Sequence, residues 1–211
     1  VIPLFLDFTD KRVLIIGGGR VALRKARFFA GRARVTVLSS IFLPGFDELT
    51  IERIEGRAEG KLAETLAAFD LVIPATDDGS LNEAVARAAE ALGKWVDRVE
   101  GVGSVVVPAV LNRGSVAVAI STGGKAPALA RYLRERLEEL IGPEYGAMAD
   151  LLGGLRDGLK EKVARQEERE AILTAIVRDE GVWALVKAGD LPGARRRALG
   201  HAEAISGEED R

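Results

Sequence analysis

Three consecutive glycines, Gly17-Gly18-Gly19, stand directly after the apolar run Val13-Leu14-Ile15-Ile16 and directly before Arg20-Val21-Ala22. Read as Gly-x-Gly-x-x-Ala between a strand and a helix, this spacing suits the pyrophosphate of a dinucleotide. Gly17 allows the tight turn, Gly19 lets the backbone approach the phosphates, and Ala22 lets the helix lie close on its sheet. The N–H groups that open the helix, those of Arg20 and Val21 among them, then face the anion. Glycines also mark ordinary turns, so the strand before and the helix after carry the reading.

Four further clusters bear chemistry. Val37-Leu38-Ser39-Ser40-Ile41 ends the next strand, where a nicotinamide site usually sets an acidic side chain about 20 residues past the first glycine. Ser39 and Ser40 can hydrogen-bond a ribose instead, with Ile41 beside them, but hydroxyls discriminate poorly between coenzymes with and without a 2′-phosphate. Arg20 and Arg34 would favour the phosphate or are ordinary surface charges, so these residues leave the coenzyme open. In Ala75-Thr76-Asp77-Asp78, Thr76 and Asp77 are candidates for ribose or nicotinamide contacts, the alternative for the aspartates being to cap the following helix. Asp97-Arg98-Val99-Glu100-Gly101 ends another strand; Glu100 is the first candidate base, Asp97 the second, and an exposed loop charge is the competing reading. Ser121-Thr122-Gly123-Gly124-Lys125 runs into a helix bearing Arg131 and Arg134. Ser121, Thr122, Gly123, Lys125, Arg131 and Arg134 would suit carboxylate or phosphate groups, or the turn is a plain connection; Walker spacing is absent.

The elements that position these residues alternate. Strands are predicted at Val13–Ile16, Val35–Leu38, Ile51–Ile54, Leu71–Ala75 and Trp95–Val99. Helices fall at Val21–Ala30, Leu62–Ala68 and Ser80–Leu92, the last with Ser80 as its cap. This predicts an α/β, Rossmann-type parallel sheet over residues 1–103 with ligands beyond the carboxyl ends of its strands. Residues 104–142 read as a β-rich segment, with runs Ser104–Leu111 and Ser115–Ser121 joined across Asn112-Arg113-Gly114, followed by a helix over Pro127–Leu140. Residues 143–211 read as a helical domain with helices at Tyr145–Leu159, Lys160–Asp179 and Val182–Leu199.

Composition bounds the function. In 211 residues, 30 basic and 32 acidic side chains leave a formal net charge of −2, so there is no global field for nucleic acid or membrane and any anion site must be local. Zero cysteines exclude disulfides and thiolate metal sites and accord with a reducing cytoplasm. The single histidine, His201, has no companion for a metal site, so no protein-held metal is expected. No apolar stretch is long enough to span a membrane and no signal-like segment opens the chain; a soluble, cytoplasmic protein is expected.

The order of motifs resembles the precorrin-2 dehydrogenases, the dehydrogenase/ferrochelatase module of siroheme synthase. The resemblance rests on Pro3-Leu4-Phe5-Leu6, Gly17-Gly18-Gly19-Arg20-Val21-Ala22 with Arg24-Lys25-Ala26, Ala75-Thr76-Asp77-Asp78 with Asn82, and Ser121-Thr122-Gly123-Gly124 with Pro127 and Leu129-Ala130-Arg131. It implies NAD-dependent oxidation of precorrin-2 to sirohydrochlorin, in some members followed by insertion of ferrous iron to give siroheme. It also implies a homodimer built through the helical domain and residues 104–142, which then act as a β-rich dimerisation segment, with substrate between the subunits. The family's crevice aspartate aligns with Glu100, within a loop shorter than the family's; Asp97 is the alternative. The substrate is a polycarboxylate, for which Arg98, Lys125, Arg131 and Arg134 are candidate cations. Two other readings share the first half of the chain: a nucleotide-sensing Rossmann regulatory module without catalysis, and a Rossmann enzyme acting on another substrate.

Overall fold

A computed structural model describes residues 2–57, 62–99, 101 and 103–206. They divide into two compact units, residues 1–107 with 123–125, and residues 108–122 with 126–211.

The first unit is a five-stranded sheet. Its elements are β1 (Arg12–Ile16), α1 (Arg20–Phe29), β2 (Arg34–Ser39), β3 (Glu52–Glu55), α2 (Leu62–Ala67), β4 (Leu71–Pro74), α3 (Gly79–Ala91) and β5 (Trp95–Val96). All pairings are parallel, in the order β3-β2-β1-β4-β5, with Val13 opposite both Val35 and Leu71. The unbroken apolar run of β1 follows from burial on both faces. Val13 and Ile15 pack with Ala22, Ala26 and Phe29 of α1, while Leu14 and Ile16 pack with Leu66 of α2 and Val85, Ala86 and Ala89 of α3. Because β2 and β4 flank β1 and their helices cover opposite faces, a crevice opens beyond the carboxyl ends of β1 and β4.

Two boundaries of this unit differ from the sequence reading. The cap of α3 is Asp78, whose carboxylate accepts the Ser80 and Leu81 N–H groups at 2.9 and 3.1 Å. The helix therefore begins at Gly79, ahead of Ser80. The predicted strand Trp95–Val99 shortens to Trp95–Val96, because Asp97 turns into the interior and is held there by Lys25.

The second unit opens with an antiparallel hairpin of β6 (Ala109–Arg113) and β7 (Val116–Ile120). Arg113 pairs with Val116, so the turn is Gly114-Ser115, with Gly114 at φ +56°, and the Asn112-Arg113 end of the predicted connection lies within the strand. Helices α4 (Pro127–Leu140), α5 (Pro143–Lys162), α6 (Gln166–Arg178), α7 (Glu180–Lys187) and α8 (Leu191–Ser206) follow. Helix α5 passes the predicted break at Leu159 and stops where Arg169 donates to the carbonyls of Val163 and Ala164, both at 2.7 Å. Asp179, predicted to end a helix, instead caps α7 by accepting the Gly181 N–H at 2.8 Å. Leu155, Leu159, Ile172, Ile176, Val182 and Val186 form the core of this unit.

Candidate coenzyme site

A cleft of about 680 Å³ lies at the carboxyl edge of the sheet, a volume ordinary for a cofactor site. Its floor is Gly17, Gly18 and Gly19, between the ends of β1 and α1. One wall is Ser39, Ser40, Ile41, Gly56 and Arg57, after β2 and β3; the other is Thr76, Asp77, Asp78 and Leu81, after β4. The cofactor residues named from the sequence, Gly17, Gly19, Ser39, Ser40, Ile41, Thr76 and Asp77, thus line one cavity. Arg20 and Val21 form the first turn of α1, beside it.

The three glycines differ physically. Gly17 adopts φ +123°, and a Cβ there would stand 2.7 Å from the carbonyl carbon of Ala75, so both conformation and space demand glycine. At Gly18 a Cβ would meet Ser39 Oγ at 2.8 Å and the Ile41 carbonyl carbon at 3.0 Å. The loop after β2 crosses over this residue and is pinned by the Leu43 N–H, which donates to the Gly18 carbonyl at 3.0 Å. Gly19 has no atom within 4 Å of a Cβ position. Nothing in the protein requires glycine there, and the open space lies over the first turn of α1. Gly19 caps that helix without a side-chain bond and no acidic residue occupies the first turn, so the Arg20 and Val21 amides and the positive end of the helix dipole are left for an anion. This arrangement fits the pyrophosphate of a dinucleotide.

Polar groups on the walls are unequally engaged. The Ser39 hydroxyl donates to the Ile41 carbonyl at 2.7 Å and accepts the Ile41 N–H at 3.3 Å, so it shapes the loop. Ser40 is exposed on the wall. Thr76 is held by Asn82, whose Oδ1 lies 2.7 Å from the Thr76 hydroxyl and accepts the Thr76 N–H at 3.0 Å. Asp78 is taken up in capping α3, and the Ser80 hydroxyl, then the Leu81 N–H, hold its carboxyl below the ordinary range. Asp77 makes no hydrogen bond or ion pair among the described residues and also lines a smaller hollow of about 240 Å³ with Thr76, Asn82, Glu83 and Arg98. Arg57 carries no earlier prediction; its signal was its place just past β3, hidden in sequence by the poor pattern of that strand. Arg34, at the opposite end of β2, pairs with Asp10 at 3.0 Å.

The residues around β5 are placed differently from a row of crevice groups. Asp97 is 4% exposed and lines neither hollow. Burial pushes its carboxyl up, while the Lys25 ammonium of α1 and the Val107 N–H draw it back down. Arg98 is bonded to Glu83 and, through Nη2, to Glu90 at 3.0 Å, which fastens the end of β5 to α3. Glu100 lies outside the described residues.

In the glycine-rich turn before α4, Thr122 Oγ1 accepts the Ala126 N–H at 3.1 Å and Gly123 and Gly124 adopt φ +61° and +79°. Ser121 and Lys125 are exposed, as is Arg131 on α4. Lys125 and Arg131 have no ion pair among the described residues, whereas Arg134 is bound to Glu138 at 2.8 Å. His201 lies 2.9 Å from Asp179. Among the described residues no group of three His, Cys, Asp or Glu side chains is placed to hold a metal ion, and no helix is long and apolar enough to cross a membrane.

A family model described as "Putative NAD(P)-binding" matches residues 4–109, and one described as sirohaem biosynthesis protein central matches residues 113–140. A precorrin-2 dehydrogenase of Methanosarcina barkeri is 36% identical over 190 residues, covering 86% of this chain and 85% of that protein. Siroheme synthase 2 of Aeromonas hydrophila is 36% identical over 198 residues, covering 92% of this chain and 42% of its own length. Siroheme synthase of Tolumonas auensis is 41% identical over 169 residues, covering 77% of this chain and 35% of its own length. The chain thus spans less than half of these two siroheme synthases. Among solved structures, SirC, a precorrin-2 dehydrogenase, superposes with a TM-score of 0.73 at 23% identity, over 93% of this chain and 100% of that one; this likeness is one of fold.

Proposed function

The chain belongs to the family of precorrin-2 dehydrogenases and the matching part of siroheme synthases, and on that premise we propose that it oxidises precorrin-2 to sirohydrochlorin with NAD as the coenzyme. One observation carries the reading: a cleft at the strand ends whose floor is open over Gly19 while Gly17 and Gly18 are packed shut. The reaction removes two hydrogens from the substrate, one as hydride and one as a proton. When bound, the nicotinamide supplies the hydride acceptor.

The chain's own residues position and exchange the proton. Gly17, Gly19 and the Arg20 and Val21 amides hold the pyrophosphate, and the Ser40 and Ile41 wall receives the adenosine half. Thr76, fixed by Asn82, and Asp77, unpaired among the described residues, orient the other half. Glu100 is proposed, from its place in the sequence, as the carboxylate that takes the proton. The substrate's carboxylates are assigned to Lys125 and Arg131, with the Ser121–Gly123 turn as further donors. The buried Lys25–Asp97 pair and the Glu83–Arg98–Glu90 cluster support framework roles for Asp97 and Arg98. A homodimer belongs to the same proposal, supported by the exposed Leu129, Tyr132, Leu133 and Leu140 on α4.

Anaerobic incubation with precorrin-2 and NAD tests the reading, with sirohydrochlorin absorbance as the readout. Equal formation of sirohydrochlorin and NADH is expected, and Glu100→Ala abolishes it. Coenzyme binding without turnover of precorrin-2 would overturn the assignment in favour of a nucleotide-sensing module. Ferrous ion added to the same sample then separates a dehydrogenase from an enzyme that also inserts iron.

A further inference from the structure

The wall that receives the adenosine half of the coenzyme has an unusual charge for a site reading a plain ribose. In this fold a carboxylate at the end of the second strand hydrogen-bonds the ribose 2′-hydroxyl and repels a phosphate at that position; an arginine nearby does the opposite. Here β2 ends in Ser39, paired with Glu55 of β3, and is followed by Ser40. The ladder continues one step past the strands, since the Gly56 N–H donates to the Ser39 carbonyl at 3.1 Å. Arg57 therefore leaves the sheet beside Ser40, and both line the cleft.

The acidic residues of the cleft wall are Asp77 and Asp78, and both follow β4. In the sheet order β1 lies between β4 and β2, so they stand at the other half of the cleft. Glu55 is exposed and is not part of the wall. The adenosine half thus presents one guanidinium and one unengaged hydroxyl, with no carboxylate among its described residues. We propose that this site takes 2′-phosphorylated coenzyme, NADP, as well as NAD, and that Arg57 with Ser40 receives the 2′-phosphate. The inference rests on the reading of the cleft as a nicotinamide dinucleotide site. A guanidinium carries five N–H donors in a fork that matches phosphate, so Arg57 takes the phosphate alongside its existing interaction.

Calorimetry on the intact protein with 5′-AMP, 2′,5′-ADP and 3′,5′-ADP tests this, since the two diphosphates carry equal charge and differ only in where the second phosphate sits. Charge-assisted bonds to the phosphate predict that 2′,5′-ADP binds about tenfold tighter than 5′-AMP and 3′,5′-ADP. Arg57→Ala, at an exposed position, removes that preference, bringing 2′,5′-ADP within about twofold of 3′,5′-ADP. Binding of 5′-AMP with tenfold weaker 2′,5′-ADP, equal binding of the two diphosphates, or an equal loss for every ligand in Arg57→Ala would each overturn the inference while leaving the coenzyme site standing. Failure of all three ligands to bind would overturn the coenzyme reading itself.

Discussion

Gly18→Ala and Gly19→Ala, one residue apart, should fail in opposite ways. A methyl on Gly18 would stand 2.8 Å from Ser39 Oγ and 3.0 Å from the Ile41 carbonyl carbon, against the roughly 3.5–4.0 Å of an unstrained contact. The Ile41 carbonyl oxygen stands closer still, so relief requires the loop over Gly18 to lift by about 1.5 Å, which loosens the Leu43–Gly18 bond of 3.0 Å and the Ser39–Ile41 bond of 2.7 Å. Two hydrogen bonds at about 1 kcal/mol each and about 1–3 kcal/mol of overpacking give a loss near 4 kcal/mol. For a chain of this size that is a fall in Tm of roughly 8–16 °C. Gly19 sits at φ −85° and ψ −171°, open to alanine, with empty space over its Cβ position. The only folding cost of Gly19→Ala is that of a poorer cap, under about 1 kcal/mol. Its methyl would fill the ground the pyrophosphate needs, so affinity for NAD falls at least about tenfold. Thermal melts by circular dichroism and calorimetric titration with NAD read the two effects separately. A folded Gly19→Ala that binds NAD as tightly as the unchanged protein would refute the path of the phosphates, and a Gly18→Ala with unchanged Tm would refute the packing argument.

Lys25→Met leaves the Asp97 carboxylate without its cation in a site 4% exposed, a loss of about 3–5 kcal/mol in denaturant titrations at pH 8. Burial raises the folded carboxyl above its unfolded value, so this loss shrinks as the pH falls toward that raised value; a loss independent of pH would contradict the burial argument. Asp179 responds to acid in the opposite sense. Arg197 first and His201 second hold its carboxyl far below the usual range, so its contribution is present above the unfolded pKa of about 4 and fades as the pH drops below it. The acid side of the stability curve should therefore be shallower for Asp179→Asn, and parallel curves would count against the clamp. Leu133→Glu, on the exposed apolar row of α4, should convert the proposed dimer to monomer in analytical ultracentrifugation; a monomeric parent chain would overturn that proposal.

The sheet and the glycine floor of the cleft were legible because their signals are local. Val13–Ile16 is apolar at every position since both faces are covered, and the glycines follow it without a gap. The residues whose surroundings that pattern does not reveal depend on distant partners. Asp97 sits at the end of a strand where a crevice group would stand, yet its fate is decided by Lys25, 72 residues earlier. Arg98, a plausible substrate cation by spacing, is bonded by two glutamates on α3 whose helical phase is visible but whose reach is not. Ser80 and Asp78 are equally good caps by type, and only the backbone path selects Asp78. Gly18 lacks a role in the Gly-x-Gly-x-x-Ala pattern, since what crosses it is a loop more than 20 residues away. Arg57 follows Glu52–Glu55, a wholly exposed edge strand with no alternation to mark its register.

The segment after β5 has both stems fastened at one point. The Val96 N–H donates to Ser104 Oγ at 2.8 Å, the Val105 N–H returns to the Val96 carbonyl at 3.1 Å, and the Val107 N–H reaches the Asp97 carboxylate. Its take-off and landing are therefore independent of how many residues lie between, and lengthening such a span costs only about 0.6 kcal/mol per doubling. This makes the span an exchangeable cassette. Segments of different length can be grafted between Asp97 and Ser104 while the parallel ladder beneath is left as it stands.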